Sequence, residues 1–349
     1  MANEERLNIE ISTSSIMKAI SVILIIILLY ILKDVVLIFL FALVIASAIS
    51  PFANWCDQKK FPRLIGVMLL YIIVLGLVVT VFSLIIPYLS NDISQLSVSL
   101  PKVIEGISSS IEKVQNGAPK YLDFLSEIQN LLDGVSTYFQ QSAQSVFGFV
   151  TSVFGGLYSF FAILVISFYL SVTRKGIDSF LGAVIPDKYE AYVIDLWKRS
   201  EAKVGRWLQG QLLLCLFVGL VVYVGLSIMG IKYALLLGLM AMILEIVPVV
   251  GPVIAAIPAV FFGFIEAPAM GFWMIVFYIV VQQIESNILV PIVLGKTIGL
   301  NPIVVLIALL VGNQLAGIPG MILSVPVSTI LVEIFNDMSK QKESRRSLA

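Results

Sequence analysis

The stretch YALLLGLMAMILEIVPVVGPVIAAIPAVFFGFI, residues 233–265, decides how this chain folds. It is apolar enough to lie in a bilayer. Yet it holds one carboxylate, Glu245, and three prolines, Pro248, Pro252 and Pro258, with Gly251 between the first two. Proline lacks the backbone donor and its ring clashes with the preceding turn, so a helix here must kink or unwind. Gly251 adds backbone freedom at the same place. As one straight helix the stretch would measure about 50 Å, against a hydrocarbon core of about 30 Å. Tilt absorbs part of that excess; a break or a re-entrant hairpin absorbs it better. Carbonyls freed at membrane depth persist only where protein or a polar cavity covers them.

Apolar runs of similar length fill the chain on both sides. No charge occurs over residues 19–32, 35–56, 64–91, 147–173, 207–231 and 302–332, and inside the remaining runs only Glu245 and Glu285 are charged. A spanning helix needs about 20 apolar residues, and a transmembrane barrel would show weak alternation instead. We therefore read an all-α polytopic membrane protein. About eight transmembrane segments are expected, at roughly 16–33, 35–54, 64–90, 147–173, 205–230, 233–265, 268–294 and 302–334. The composition agrees: 13% charged against about 25% in soluble domains. With zero net charge, nothing points to a nucleic-acid partner; the bilayer is the partner the composition demands. Cys56 and Cys215 are too far apart to suggest a disulfide or a metal site, and the chain has no His, which excludes imidazole ligands and relays. The first run leads straight into the second without a convincing cleavage site, as an uncleaved span does.

Loop charges set the expected topology. Lys59, Lys60 and Arg63 follow the second segment, seven Lys and Arg between Arg174 and Arg206 follow the fourth, and four more lie in the tail. The 92–146 insert carries three Lys against six acids. Positive loops stay inside, so both termini are expected in the cytoplasm and the insert outside. Five regions result: 1–91 with three segments, the helical insert 92–146, 147–204 with a fourth segment and an amphipathic linker, a transport core 205–334, and the tail 335–349. In the linker, Tyr189, Val193, Leu196 and Trp197 share one helical face opposite Lys188, Asp195, Lys198 and Arg199, which suits either an interfacial helix or a plain linker.

The polar residues concentrate after residue 240. Gln282, Gln283, Glu285, Ser286 and Asn287 precede Pro291, and the last segment holds Asn313 and Gln314 beside Gly312, Gly317, Pro319, Gly320 and Pro326. Displaced by 68 positions, Pro258 falls on Pro326, Pro252 on Gly320 and Glu245 on Asn313. The core thus reads as a diverged repeat with two broken helices. Paired Gly/Pro-interrupted segments point to a transporter's binding site. Interhelical glue would explain amides, at about 0.6 kcal/mol per contact, but glue seldom needs an ionisable group. A membrane carboxylate without an intramembrane cation must be protonated, hydrated or holding a cation. Glu245, Gln282, Gln283, Glu285, Asn287, Asn313 and Gln314 are therefore the candidate solute- or ion-binding residues. Pro248, Gly251, Pro252, Pro258, Gly317, Pro319, Gly320 and Pro326 are the candidate helix-break residues.

No Walker loop, HExxH or GxSxG occurs, and the spans contain no Asp, so no enzyme, cofactor or resident metal is expected. The stretch EIVPVVGPVIAAIPAVFFGF, followed by QQIESNILVPIVLGKTIGLNPIVVLIALLVGNQLAGIPGMILSVPVS, resembles the autoinducer-2 exporter family of bacterial inner-membrane proteins. The resemblance implies an eight-helix homo-oligomeric permease exporting small signalling molecules. Some members look like sodium(lithium)/proton antiporters. Asn301 stands where many members carry His, and Asn313 where Gly is common, which leaves proton handling to the carboxylates. Three readings stay open: an ion-coupled exporter of a small polar solute, a monovalent cation/proton antiporter, and an oligomeric channel or scaffold.

Overall fold

The computed structural model describes residues 31–81, 156–173, 176–294 and 300–347, with residue 83 and a few positions between 17 and 28. The expected insert at 92–146 lies outside the described residues. All regular structure within them is helical: α1 Lys33–Gln58, α2 Arg63–Val81, α3 Leu157–Val172, α4 Gly176–Val184, α5 Asp187–Ile228, α6 Ala234–Leu244, α7 Val250–Glu266, α8 Pro268–Val293 and α9 Pro302–Ser347. Among these, α1, α2, α5, α8 and α9 are long and apolar enough to cross a membrane.

The first three helices form one bundle beside α5. Tyr71 donates to Ser167 Oγ (2.8 Å), and Arg63 donates from Nε to the Ser171 carbonyl (2.8 Å) while pairing with Asp57 (3.1 Å). Pro51 lies inside α1 and removes the donor that would reach the Ser47 carbonyl. At that carbonyl α5 crosses through Gly205, where any side chain would collide with the Ser47 backbone. Gln209 of α5 then donates to the next carbonyl, Ala48 O, at 2.6 Å.

Helix α5 runs unbroken for 42 residues, about 63 Å. No proline occurs between Pro186, which precedes it, and Pro248. The amphipathic linker and the fifth segment are therefore one helix, not an interfacial helix followed by a span. The polar end of α5 is fastened to the far end of α9. Arg199 donates to Glu333 (2.5 Å), Asp337 (2.6 Å) and Asp195 (2.9 Å), and Lys203 also pairs with Glu333. The guanidinium holds the Asp337 carboxyl below the usual aspartate range.

The over-long stretch 233–265 doubles back on itself. The rings of Tyr233, just before α6, and Phe262, near the end of α7, lie 5.3 Å apart between centroids, where a straight helix would separate them by about 44 Å. The reversal occurs between Leu244 and Val250. Val249 takes φ 68°, ψ −49°, and the Val250 N–H donates to the Pro248 carbonyl at 2.8 Å, which closes a γ-turn of the strained kind. Gly251 and Pro252 fall in the first turn of α7, and Pro258 sits within α7, which continues past it. That hairpin leans on α5 through Gly219 against Met242 and Gly238 against Tyr223, and on α8 through Gly263 against Gly271.

Helix α9 doubles back in the same way. Ala316 (φ −148°, ψ 19°) and Gly317 (φ 61°, ψ −138°) are not helical. The backbones of Gly312 and Gly320 touch so closely that a side chain on either would strike the other's carbonyl. Eight residues of straight helix would hold them about 12 Å apart. Pro319 opens the second arm, and Pro326 lies inside it. The excess length of both segments is thus taken up by hairpins rather than by tilt.

Candidate functional site

Glu245 ends α6 at the tip of the first hairpin and is 1% exposed. Because Val249 turns away, its N–H cannot supply the helical bond to the Glu245 carbonyl. Gln211 of α5 supplies it instead, donating from Nε2 at 2.6 Å in a fully buried contact. Gln211 therefore caps the break and fixes where the Glu245 side chain starts.

Glu285 comes from the opposite side. It opens a single π turn, Glu285–Leu289, inside α8, and is 5% exposed. A π turn inserts one extra residue and rotates the next residues around the helix. Glu285 faces inward, whereas Gln283 before it and Ser286 and Asn287 after it are exposed. Gln282 donates to Glu285 Oε2 at 3.3 Å.

The Glu245 and Glu285 carboxyl groups act directly on each other, and the Cys215 thiol of α5 lies in the field of both. No Lys or Arg figures among the groups acting on either carboxyl. Among the described residues, neither Glu245 oxygen has a hydrogen-bond donor, and no cluster of three metal-ligating side chains occurs. Two carboxyls in a dry site without a counter-charge cannot both remain ionised; between them they carry protons or a cation. The chemistry the arrangement offers is exchange of small cations.

The remaining candidates sit elsewhere. Gln283 accepts from Asn287 Nδ2 at 3.0 Å, and Ser286 donates to the Gln282 carbonyl at 2.8 Å, all within α8. Asn313 and Gln314 are exposed on the first arm of α9, and no hydrogen bond among the described residues joins them to the carboxyl pair. Two residues that the sequence did not single out, Gln211 and Cys215, do line it. Their only sequence signal is the second of two amides, Gln209 and Gln211, and a thiol one turn later, in the uncharged run 207–231.

A sequence profile described as AI-2E family transporter matches residues 19–340. The chain belongs to the AI-2E transporter family. Relatives extend over most of its length. YueF of Bacillus subtilis, provisionally named a transport protein, is 29% identical over 80% of this chain and 77% of its own. YrrI of the same organism, named likewise, is 25% identical over 86% of each chain. TqsA of Escherichia coli K12, named an AI-2 transport protein, is 25% identical over 86% of this chain and 85% of its own. Family membership and the several apolar helices make this a multi-pass membrane transporter. Within the AI-2E family match lie both hairpins and the whole carboxyl pair.

Proposed function

We propose that this chain is a secondary transporter that exports a small polar solute at the expense of an ion gradient, with Glu245 and Glu285 as the ion-responsive groups. The observation that carries this reading is a pair of buried carboxyls, facing each other at a hairpin tip, with no cation and no donor on Glu245. A fixed interaction site would not leave such a pair uncompensated, whereas a carrier needs groups that gain and lose a partner. Gln282 is the neutral ligand nearest to hand, and Gln211 holds the tip. Gln283, Asn287, Asn313 and Gln314 would enter the solute path only from the outward faces of α8 and α9. The name of TqsA supports an autoinducer-2-like solute for this chain as well. A sodium(lithium)/proton antiporter is the second reading, favoured by the same pair.

The location proposed is the bacterial inner membrane with both termini cytoplasmic, and the assembly a homo-oligomer. Two hairpins in place of two single crossings change the topology proposed for the connections. In the proposed topology the α7–α8 turn, with Glu266, lies on the same outer side as the α5–α6 turn, with Lys232, and the C-terminal end of α8 lies inside. That placement keeps the basic residues from Lys188 to Arg206 inside, as the positive-inside rule favours, and leaves Lys232 outside. The test is efflux from proteoliposomes loaded with a panel of furanosyl signals and small polar solutes under an imposed pH gradient. Gradient-driven export of one class supports the proposal, and equal leakage of all solutes without a gradient contradicts it.

A further inference from the structure

The charges inside this site restrict what can be exchanged there. Glu245 and Glu285 bring two carboxyls from α6 and α8; α5 adds the Gln211 amide, whose nitrogen donates to the Glu245 carbonyl, and the Cys215 thiol, which is hydrogen-bonded to the Gln211 side chain. The Gln282 amide completes the surroundings. Glu245 is 1% and Glu285 5% exposed, so any net charge on the group must be borne with little help from water. Burying an uncompensated ion costs several kcal/mol. Neutral combinations are therefore the populated ones. With both carboxyls protonated the site is neutral. With one proton and one monovalent cation it is neutral again. Two carboxylates alone carry two negative charges, and two carboxylates with one monovalent cation still carry one.

We infer that the Glu245–Glu285 pair takes up one monovalent cation for each proton it releases, so that exchange through this site moves no net charge. The inference rests on the reading of this pair as the transport site. The cation entering displaces one carboxylic proton; the second proton stays on the pair and keeps the loaded site neutral. A divalent ion would displace both protons. Calcium, however, needs six to eight oxygen ligands and magnesium keeps several of its waters, while the two buried side chains supply four carboxyl oxygens, with the Gln282 side-chain amide beside them. The Glu245 oxygens are where the cation belongs: they are buried, directed at the Glu285 carboxyl and without a donor from any other described residue.

The test uses the full chain in proteoliposomes with a pH-sensitive dye inside and sodium chloride as the probe. Membrane potential is imposed with a potassium gradient and valinomycin, the same gradient without valinomycin serving as control. The expected result is proton movement on sodium addition whose rate is the same at zero and at strongly negative potential. Magnesium chloride should give none. Glu245→Gln and Glu285→Gln, both purified as monodisperse protein, should each abolish the sodium-driven signal. A rate that follows the imposed potential, a response to magnesium, or no cation-driven proton movement at all overturns the inference. If the flux is potential-dependent but lost in both variants, only the stoichiometry is wrong and the pair remains the transport site. If either variant keeps the full flux, the proposed function falls with it.

Discussion

Val249 and Gly317 stand 68 positions apart in sequence, and each holds a positive φ, 68° and 61°, at the tip of a helical hairpin. The same displacement carries Pro258 onto Pro326. It also carries α6 onto the first arm of α9, α7 onto the second arm, and the apolar half of α5 onto α8. On the reading proposed above, the repeat would be one long helix followed by one hairpin, used twice. In the proposed topology each unit crosses once and then returns, so the second hairpin would enter from the side opposite to the first, the relation of inverted repeats in secondary transporters.

That relation predicts sidedness. Cysteines placed singly at Lys232 and Glu266, both exposed, should react with an impermeant maleimide from the same face of the membrane. If α6 and α7 formed one crossing, the two would label from opposite faces.

The two turn residues should respond oppositely to substitution. Val249 is β-branched in a strained γ-turn and about half exposed, so Val249→Gly relieves strain at little packing cost and should stabilise the protein by about 1 kcal/mol. Gly317 occupies a region open to glycine alone, and Gly317→Val should destabilise by roughly 2 kcal/mol. Thermal unfolding in detergent reads both; a loss of stability in Val249→Gly would contradict the turn described.

Gln211→Leu fits the same volume but leaves the Glu245 carbonyl buried without its donor. The expected loss of stability is about 1–3 kcal/mol, together with a changed pH profile of transport because the Glu245 tip is no longer fixed. A variant unchanged in both would show that the cap is incidental.

The fastening of α5 to α9 has a definite pH sign. Arg199 lowers the Asp337 carboxyl below its ordinary value, so the stabilisation is present above the unfolded aspartate range and lost as pH falls through the folded value. Thermal unfolding of Asp337→Asn should match the parent at strongly acid pH and fall below it at neutral pH. Equal stability at neutral pH would mean the pair contributes nothing.

The carboxylates were legible in the sequence because a charge inside an uncharged run is costly wherever it sits. The two breaks were legible for the same kind of reason: Pro248 cannot donate, and Gly317 sits among prolines. What the sequence could not disclose depends on contacts between helices. The fold-back needed the touching backbones of Gly312 and Gly320, and Gln211 becomes a cap only because α5 passes the broken tip. Helical spacing grouped Gln282, Glu285 and Ser286 on one face. The π turn that starts at Glu285 adds a residue to the turn and swings Ser286 and Asn287 outward, a local change that no periodicity carries. Asn313 aligns with Glu245 in the repeat yet lies on an exposed surface, since the second hairpin packs against α1 and α5 rather than against α8.

The central claim is that the Glu285 carboxyl, with Glu245, couples transport to an ion gradient. Its most direct test is the pH profile of transport by purified Glu285→Gln in proteoliposomes, because glutamine keeps the shape and hydrogen bonding and removes only the titration. The account predicts a folded, assembled variant that still binds solute but shows no gradient-driven transport and no dependence on pH. Parent-like transport with the parent's pH profile would contradict it and leave Glu285 a structural residue.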